Sequence, residues 1–279
     1  MPDTDPADLE PTAVSQATPE AAAKPKIRIL HHMARTGGTV ISTCLASMEA
    51  VMLLSEINPQ GIKYFNPLNQ AITWFRLFSQ DDIKRINANS MSFTEAIDLI
   101  RRRAAERGKE IVIRDWTHLD FTAVPFLPQR SYRLITAEVL RAAFDVVHTA
   151  TVRHPIDQWL SLRQLAIMNG KIQIEQFLRD YLRFAETSRK IGFVRYEDFT
   201  RDPDAVLRVL CTRLDLPFDP QYSQRWKAYR NITGDVTSNA PARDIAPGTR
   251  RPMEPGLLDR FETNADYRAA LEFLGYKHP

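Results

Sequence analysis

The chain has 279 residues, of which 44% are hydrophobic and 25% charged, enough to bury one large core or two small ones. The formal net charge is +3, but residues 1–25 hold five acids (Asp3, Asp5, Asp8, Glu10, Glu20) and one base (Lys24), so the remainder sets 36 basic against 29 acidic residues and leans toward an anionic ligand. No basic run alternates with aromatics, which argues against a nucleic-acid partner, and no stretch approaches the roughly 18 apolar residues of a membrane span.

Residues 1–25 mix Pro, Ala, Ser, Thr and acids with almost no large apolar side chains, and they are expected to form a disordered tail. They lack the basic and apolar regions of an export signal. The two cysteines, Cys44 and Cys211, are too few and too far apart for a disulfide framework, and a reducing cytoplasm is the expected location. Residues 26–279 are expected to form a single domain.

Past the tail, short β-rich runs alternate with helical patterns. The strands are predicted at KIRILHH (26–32), VMLLSEI (51–57), EIVIRD (110–115), FDVVHTATV (144–152) and IGFVRY (191–196). Between them, Thr39–Met48, Phe93–Arg107, Ile156–Met168, Ile174–Lys190 and Asp204–Leu214 carry apolar residues at intervals of three and four, the period of a helix with one buried face. This alternation predicts an α/β fold: a P-loop-like, three-layer αβα arrangement with a central parallel sheet of about five strands flanked by helices. Residues 215–255 are rich in Pro, Gly, Asn and Asp and predict a long irregular segment, and residues 254–276 predict two closing helices.

Three places carry chemistry. The first is ILHHMARTGGTVIS (29–42), a strand, a turn and a helix start that aims backbone N–H groups at one spot, the geometry that captures anions. Gly37 and Gly38 permit close approach of backbone to phosphate, Arg35 adds a fixed cation, and Thr36 and Thr39 add hydroxyl donors. A Walker A loop requires lysine after its second glycine, whereas Gly38 is followed by Thr39. Alone, the segment also fits an ordinary βα turn with a surface arginine.

The second is VRHPIDQWLSLRQ (152–164), with Arg153 at a strand end and Ser161 inside the next helix. An arginine at a strand's carboxyl edge and a hydroxyl about two turns along the following helix can converge on one phosphate. The bland alternative is a helix-starting proline and a solvated serine.

The third is IVIRDWTHLDF (111–121), which sets His118 just beyond a strand, on a loop opening at the same sheet edge as the phosphate loop. Imidazole titrates nearest the working pH and suits a general base, although a lone histidine after a strand is commonly a hydrogen-bonded structural residue.

These segments together resemble the PAPS-dependent sulfotransferases, enzymes that use 3′-phosphoadenosine 5′-phosphosulfate as sulfuryl donor. A-R-T-G-G-T-V (34–40) is similar to the family's P-K-x-G-[TS]-T-W loop for the 5′-phosphosulfate, with Arg35 where lysine is usual, Ala34 for proline, Gly38 for a hydroxyl residue and Val40 for tryptophan. Arginine keeps the charge but is not a proton donor at neutral pH, so its implied role is electrostatic clamping. Arg153, Pro155 and Ser161 match the family's R-x-P-x-x-x-x-x-S segment for the 3′-phosphate. Thr117–Leu119 matches the T-H-L of its K-T-H-L segment, which implies His118 as catalytic base, with Trp116 where lysine is usual. Arg114, Asp115 and Arg35 are all open as substitutes for that lysine, and Asp115 is open as the group that orients His118 or as a second base. Tyr196 in YED (196–198) matches a tyrosine expected near the adenine, with Glu197 and Asp198 read as scaffold. Arg250 and Arg251 in PGTRRPMEPG lie where many relatives carry an R-K-G-x-x-G loop, and the ITGD turn at 232–235 and Arg243 share that irregular region.

The resemblance spans about residues 27–255 and implies sulfuryl transfer from PAPS to a hydroxyl or amine acceptor that the sequence does not identify, with no metal required. The alternatives are a P-loop phosphotransferase using ATP and magnesium, and a catalytically degenerate nucleotide-binding scaffold. Residues 58–90, with Tyr64, Phe65, Trp74, Phe75 and Phe78, are candidates to line an acceptor pocket or to form core. Oligomeric state is not legible.

Overall fold

The computed structural model describes residues 23–168, 170–234 and 244–279. The expected tail therefore lies outside the described residues except for 23–25, which are exposed, and so do Asp235 and Arg243.

Five strands form one sheet: β1 (Lys26–His32), β2 (Val51–Ile57), β3 (Glu110–Asp115), β4 (Asp145–Val152) and β5 (Phe193–Arg195). All the pairings are parallel, in the order β2-β3-β1-β4-β5. The helices are α1 (Gly38–Ala46), α2 (Pro67–Thr73), α3 (Gln80–Ala88), α4 (Phe93–Ala105), α5 (His118–Phe121), α6 (Ile135–Leu140) and α7 (Pro155–Leu162), then α8 (Ile174–Ile191), α9 (Tyr196–Arg201), α10 (Pro203–Leu214), α11 (Tyr222–Arg225), α12 (Leu257–Thr263) and α13 (Ala265–Leu274).

The period-two alternation of the strands divides their side chains between two buried faces. Ile27, Ile29, Met52, Leu54, Ile111, Ile113, Ala150 and Val152 pack on one side with residues of α4, α7, α8, α12 and α13. Leu30, Val51, Leu53, Val112 and Val194 pack on the other with α1, α10 and α11. The three-layer arrangement expected from the sequence is thus present. The helices that periodicity missed are mostly short, such as α5 and α11, with four residues each. One turn of helix displays no repeat to read. The helix expected over 156–168 ends at Leu162, and a 3-10 turn follows at Ala166–Met168. Within 58–90, Asn66 caps α2 and a Ser79–Asp82 capping box starts α3.

This topology positions the site. After β1 the chain crosses to β2 at one edge, and β4 lies on β1's other side, so β1 and β4 flank the point where the strand order reverses. Open α/β sheets bind ligands in the crevice beyond the carboxyl ends of such strands. Among the described residues no helix is long and apolar enough to cross a membrane.

Ile29 is fully buried on the central strand, whereas Val209 on α10 is 44% exposed. Ile29→Ala is expected to cost about 2–5 kcal/mol and Val209→Ala less than about 0.5 kcal/mol. Urea denaturation compares them, and equal losses would contradict this assignment of the core.

Candidate active site

The chain leaves β1 at His32 and enters α1 at Gly38 through a tight turn. Arg35 and Gly37 both adopt left-handed backbone, with φ of 70° and 82°. Inside the turn the Thr36 hydroxyl donates to Met33 O at 2.9 Å. Gly37 supplies no side chain to cap α1, and no acid stands in the first turn, so the leading N–H groups are placed to receive an anion. Close packing also requires glycine here. A Cβ on Gly37 would overlap the ring of Tyr196, and one on Gly38 would overlap the imidazole of His32.

Arg153 follows β4 and meets this turn directly. Its Nη1 donates to Arg35 O at 3.2 Å, and its guanidinium lies over the Tyr196 ring at 4.9 Å. In return Arg35 Nε donates to the Ser161 hydroxyl on α7 at 2.8 Å. Arg35, Gly37, Arg153, Ser161 and Tyr196 therefore form one cluster across the β1–β4 crevice. The Arg153 Nε and Arg251 Nη1 atoms are buried without a hydrogen-bond partner. Such guanidinium groups suit a phosphate, whose oxygens accept several N–H bonds at once. Arg250 behaves differently: it forms a bidentate pair with Asp157 on α7, at 3.0 and 2.9 Å.

His118 opens α5 and is 2% exposed. Its Nε2 lies 2.8 Å from Val124 O. A carbonyl only accepts, so Nε2 carries the proton and Nδ1 holds the lone pair. Burial, aided by the Arg130 charge and opposed by that backbone bond, lowers the pKa to about 4, which leaves the imidazole neutral at pH 7. Trp116 packs edge-on with Tyr64, Phe65 and Phe126 at centroid distances of 5.7, 5.0 and 4.7 Å. The position where lysine was expected is therefore apolar. Of the candidate pocket residues, Tyr64 and Phe65 join this aromatic group, Trp74 and Phe75 pack together, and Phe78 belongs to the core.

Asp115 was open as the partner of His118, and its carboxylate turns elsewhere. It accepts from His31 Nδ1, Thr117 and Thr136 at 2.7, 2.7 and 2.5 Å. Arg114 is the residue that reaches the phosphate loop. Buried, it donates to Thr39 Oγ1 at 3.0 Å, His32 Nε2 at 2.9 Å, and both Ser55 Oγ and Thr233 O at 2.9 Å. The Thr39 oxygen accepts this bond and keeps its own proton for a ligand.

The sequence reading missed Glu56. A register shift between Ser55 and Ile57 and a left-handed φ of 55° turn this acid out of the β2 alternation, with its Oε1 3.6 Å from Arg114 Nη2. Bulges re-aim side chains beside sites, and left-handed backbone at a non-glycine residue persists only where its surroundings enforce it. The available signal was an acid near the end of an otherwise apolar strand. Segment 231–234 also comes in: Thr233 bonds Ser55 and Arg114, and a Cβ on Gly234 would stand 2.7 Å from Thr39 Oγ1.

The sequence matches no family model and no curated protein. Among solved structures, the sulfotransferase domain from the curacin biosynthetic pathway superposes with a TM-score of 0.60 at 18% identity, covering 92% of this chain and 100% of that one. The sulfotransferase domain from the Synechococcus PCC 7002 olefin synthase gives 0.56 at 17% identity, covering 95% and 93%. At such identity the likeness is one of fold: the chain has the αβα fold of these sulfotransferase domains.

Burial likewise brings His148 and His154 down to about 4, from an ordinary value of 6.5. Between those limits the unfolded chain binds protons that the folded one does not, so these histidines make stability rise with pH and fall as pH drops from about 6.5 toward 4. Asp120, raised to about 9 by burial and by Asp115, opposes them with one proton. His118→Gln keeps a donor for Val124 O and removes one titrating group. Denaturant titrations between pH 4.5 and 6.5 are expected to show a slope of stability against pH reduced by up to about 1.4 kcal/mol per unit. An unchanged slope would mean that His118 is not held neutral by the fold.

Proposed function

We propose that the chain is a sulfotransferase that moves a sulfuryl group from PAPS to a hydroxyl or amine acceptor. The observation that carries this reading is the single cluster uniting the phosphate loop with Arg153 and Ser161. Two anion-receptive groups meeting in one crevice suit a nucleotide phosphorylated on both sides of its ribose. The unpartnered Nε of Arg153 favours the 3′-phosphate, with Arg251 as a second proposed ligand to it, and the uncapped start of α1 with Arg35 favours the 5′-phosphosulfate. The shared fold supports the same class of reaction. Tyr196, packed between Gly37 and Arg153, is assigned to the nucleotide side, and Arg250 acts by fixing α7 through Asp157.

PAPS supplies a sulfuryl group already bonded to a good phosphate leaving group. The chain's own residues orient that group, neutralise charge as the bridging S–O bond breaks, and take the proton of the attacking hydroxyl or amine. Arg35, Thr39 and the α1 N–H groups serve the leaving oxygens, with Arg114 holding Thr39 in place. His118 Nδ1 is the proposed proton acceptor, because its tautomer leaves that lone pair available. Glu56 is the second reading for this step, favoured by the bulge and left-handed backbone that turn its carboxylate toward Arg114 and the loop. The buried free cysteines fit a reducing compartment such as the cytoplasm, and residues 26–279 are taken as one domain.

Thermal shift tests the donor. At a hundredfold excess over Kd, 3′,5′-ADP is expected to stabilise the protein by about 2.7 kcal/mol, about 5–10 °C, with a far smaller effect from Mg·ATP. A larger shift with Mg·ATP would favour a phosphotransferase, and Arg153→Ala is expected to weaken 3′,5′-ADP by about 10–150-fold through loss of a charged hydrogen bond. For the base, PAPS turnover with a panel of acceptors is expected to fall about 10²–10⁴-fold in His118→Gln while Glu56→Gln stays active. The reverse pattern assigns the proton to Glu56, and no turnover with any acceptor supports a binding scaffold.

A further inference from the structure

The peptide that joins Arg153 to His154 is gripped at both ends, by the buried Tyr181 and the half-buried Glu197. The Tyr181 hydroxyl on α8 donates to Arg153 O at 2.6 Å. On the far side, His154 N–H donates to Glu197 Oε1 at 2.8 Å. Glu197 is itself held, because Tyr276 OH donates to its Oε2 at 2.7 Å. Both carboxylate oxygens of Glu197 are thereby committed within the protein.

Tyr276 lies in the segment that follows α13, and this segment is clasped in turn. Arg195, at the end of β5, donates through Nε to Leu274 O and through Nη2 to Gly275 O, each at 2.9 Å, and its guanidinium covers the Tyr276 ring at 4.9 Å. Gly275 has a φ of 65°, and a Cβ there would overlap the Arg195 guanidinium. His154 closes the circuit: its ring bonds Lys277 O through Nε2 at 3.1 Å and accepts from Ile156 N through Nδ1 at 3.3 Å, a neutral tautomer with both nitrogens engaged. Tyr276 and Tyr267 pack edge-on against that imidazole at 5.2 and 6.4 Å.

We propose that Tyr181, Glu197 and Tyr276 are positioning residues for Arg153, and that the segment 274–278 thereby sets the preference of the site for a nucleotide bearing a 3′-phosphate. The inference rests on the donor assignment above. An arginine side chain has many rotamers, and its selectivity for one phosphate depends on a fixed origin. Among the described residues the side-chain hydrogen bonds of these three run to the 153–154 peptide and to one another, so each acts on the nucleotide through that peptide. Their removal is expected to weaken recognition of the 3′-phosphate and to spare the rest.

The test compares 3′,5′-ADP with 5′-AMP by calorimetry in the full chain and in Tyr181→Phe, Glu197→Gln and Tyr276→Phe. Each variant is expected to bind 3′,5′-ADP at least about tenfold more weakly while its affinity for 5′-AMP stays within about twofold. Adding each substitution to Arg153→Ala is expected to cause no further loss, because the group they position is already gone. Equal weakening toward both nucleotides, or wild-type discrimination in all three variants, overturns the inference alone. A wild-type protein that does not prefer 3′,5′-ADP overturns the donor assignment and this inference with it.

Discussion

The site depends on one pairing, that of β1 with β4. Their register runs from Lys26 opposite Asp145 to His32 opposite Thr151, so the two strands end level and their following loops emerge side by side. With the connections on either side leading in opposite directions, a crevice opens between those loops, and Tyr196 of α9 enters it between Gly37 and Arg153. The Arg153–Arg35 and Arg35–Ser161 bonds are consequences of that register. A slip of one residue would send each strand side chain to the other face and part the two arginines.

Near their carboxyl ends the central strands exchange apolar alternation for polar pairs, one on each face of the sheet. His31 meets Asp115 on one side, and His32 meets Arg114 on the other. Burying such groups is costly unless every polar atom finds a partner. Here most of the partners come from separate elements, and among the described residues His32 Nδ1 is left without one. Thr136 of α6 and Thr117 serve Asp115, while Thr39, Ser55 and Thr233 serve Arg114. The same bonds therefore tie α1, β2, β3 and segment 231–234 to the phosphate loop. Desolvation keeps His32 neutral, which lets its Nε2 accept from Arg114.

Charge is unevenly distributed around the crevice. On the β4 side stand Arg153 and the Arg250–Asp157 pair. Beyond β3 lie Trp116, Phe65 and Phe126 with the neutral imidazole of His118, whose ring stands edge-on to Phe126 at 6.2 Å. An apolar surround disfavours the charged form of such an imidazole. Arg114 and Glu56 mark the boundary between these regions.

By itself the sequence determined the strands, the longer helices, the three-layer arrangement and the candidate residues Arg35, Gly37, Arg153 and Ser161. Each of those readings rests on local spacing: period two, period three to four, or a fixed offset from a strand end. The short helices α5, α6, α9 and α11 carry too few residues to display a period. Tertiary structure alone decided which partners the polar side chains take. Arg114, Asp115 and Arg35 were equal substitutes for a missing lysine until strand order sent Arg114 to Thr39 and Asp115 to His31. Glu56 reaches Arg114 through a bulge that a lone acid near a strand's end does not by itself announce. Tyr276 reached Arg153 through Glu197 although 123 positions separate it from that arginine in the chain. Contacts between distant segments follow from register and packing, quantities set by the whole fold and not by any window of residues.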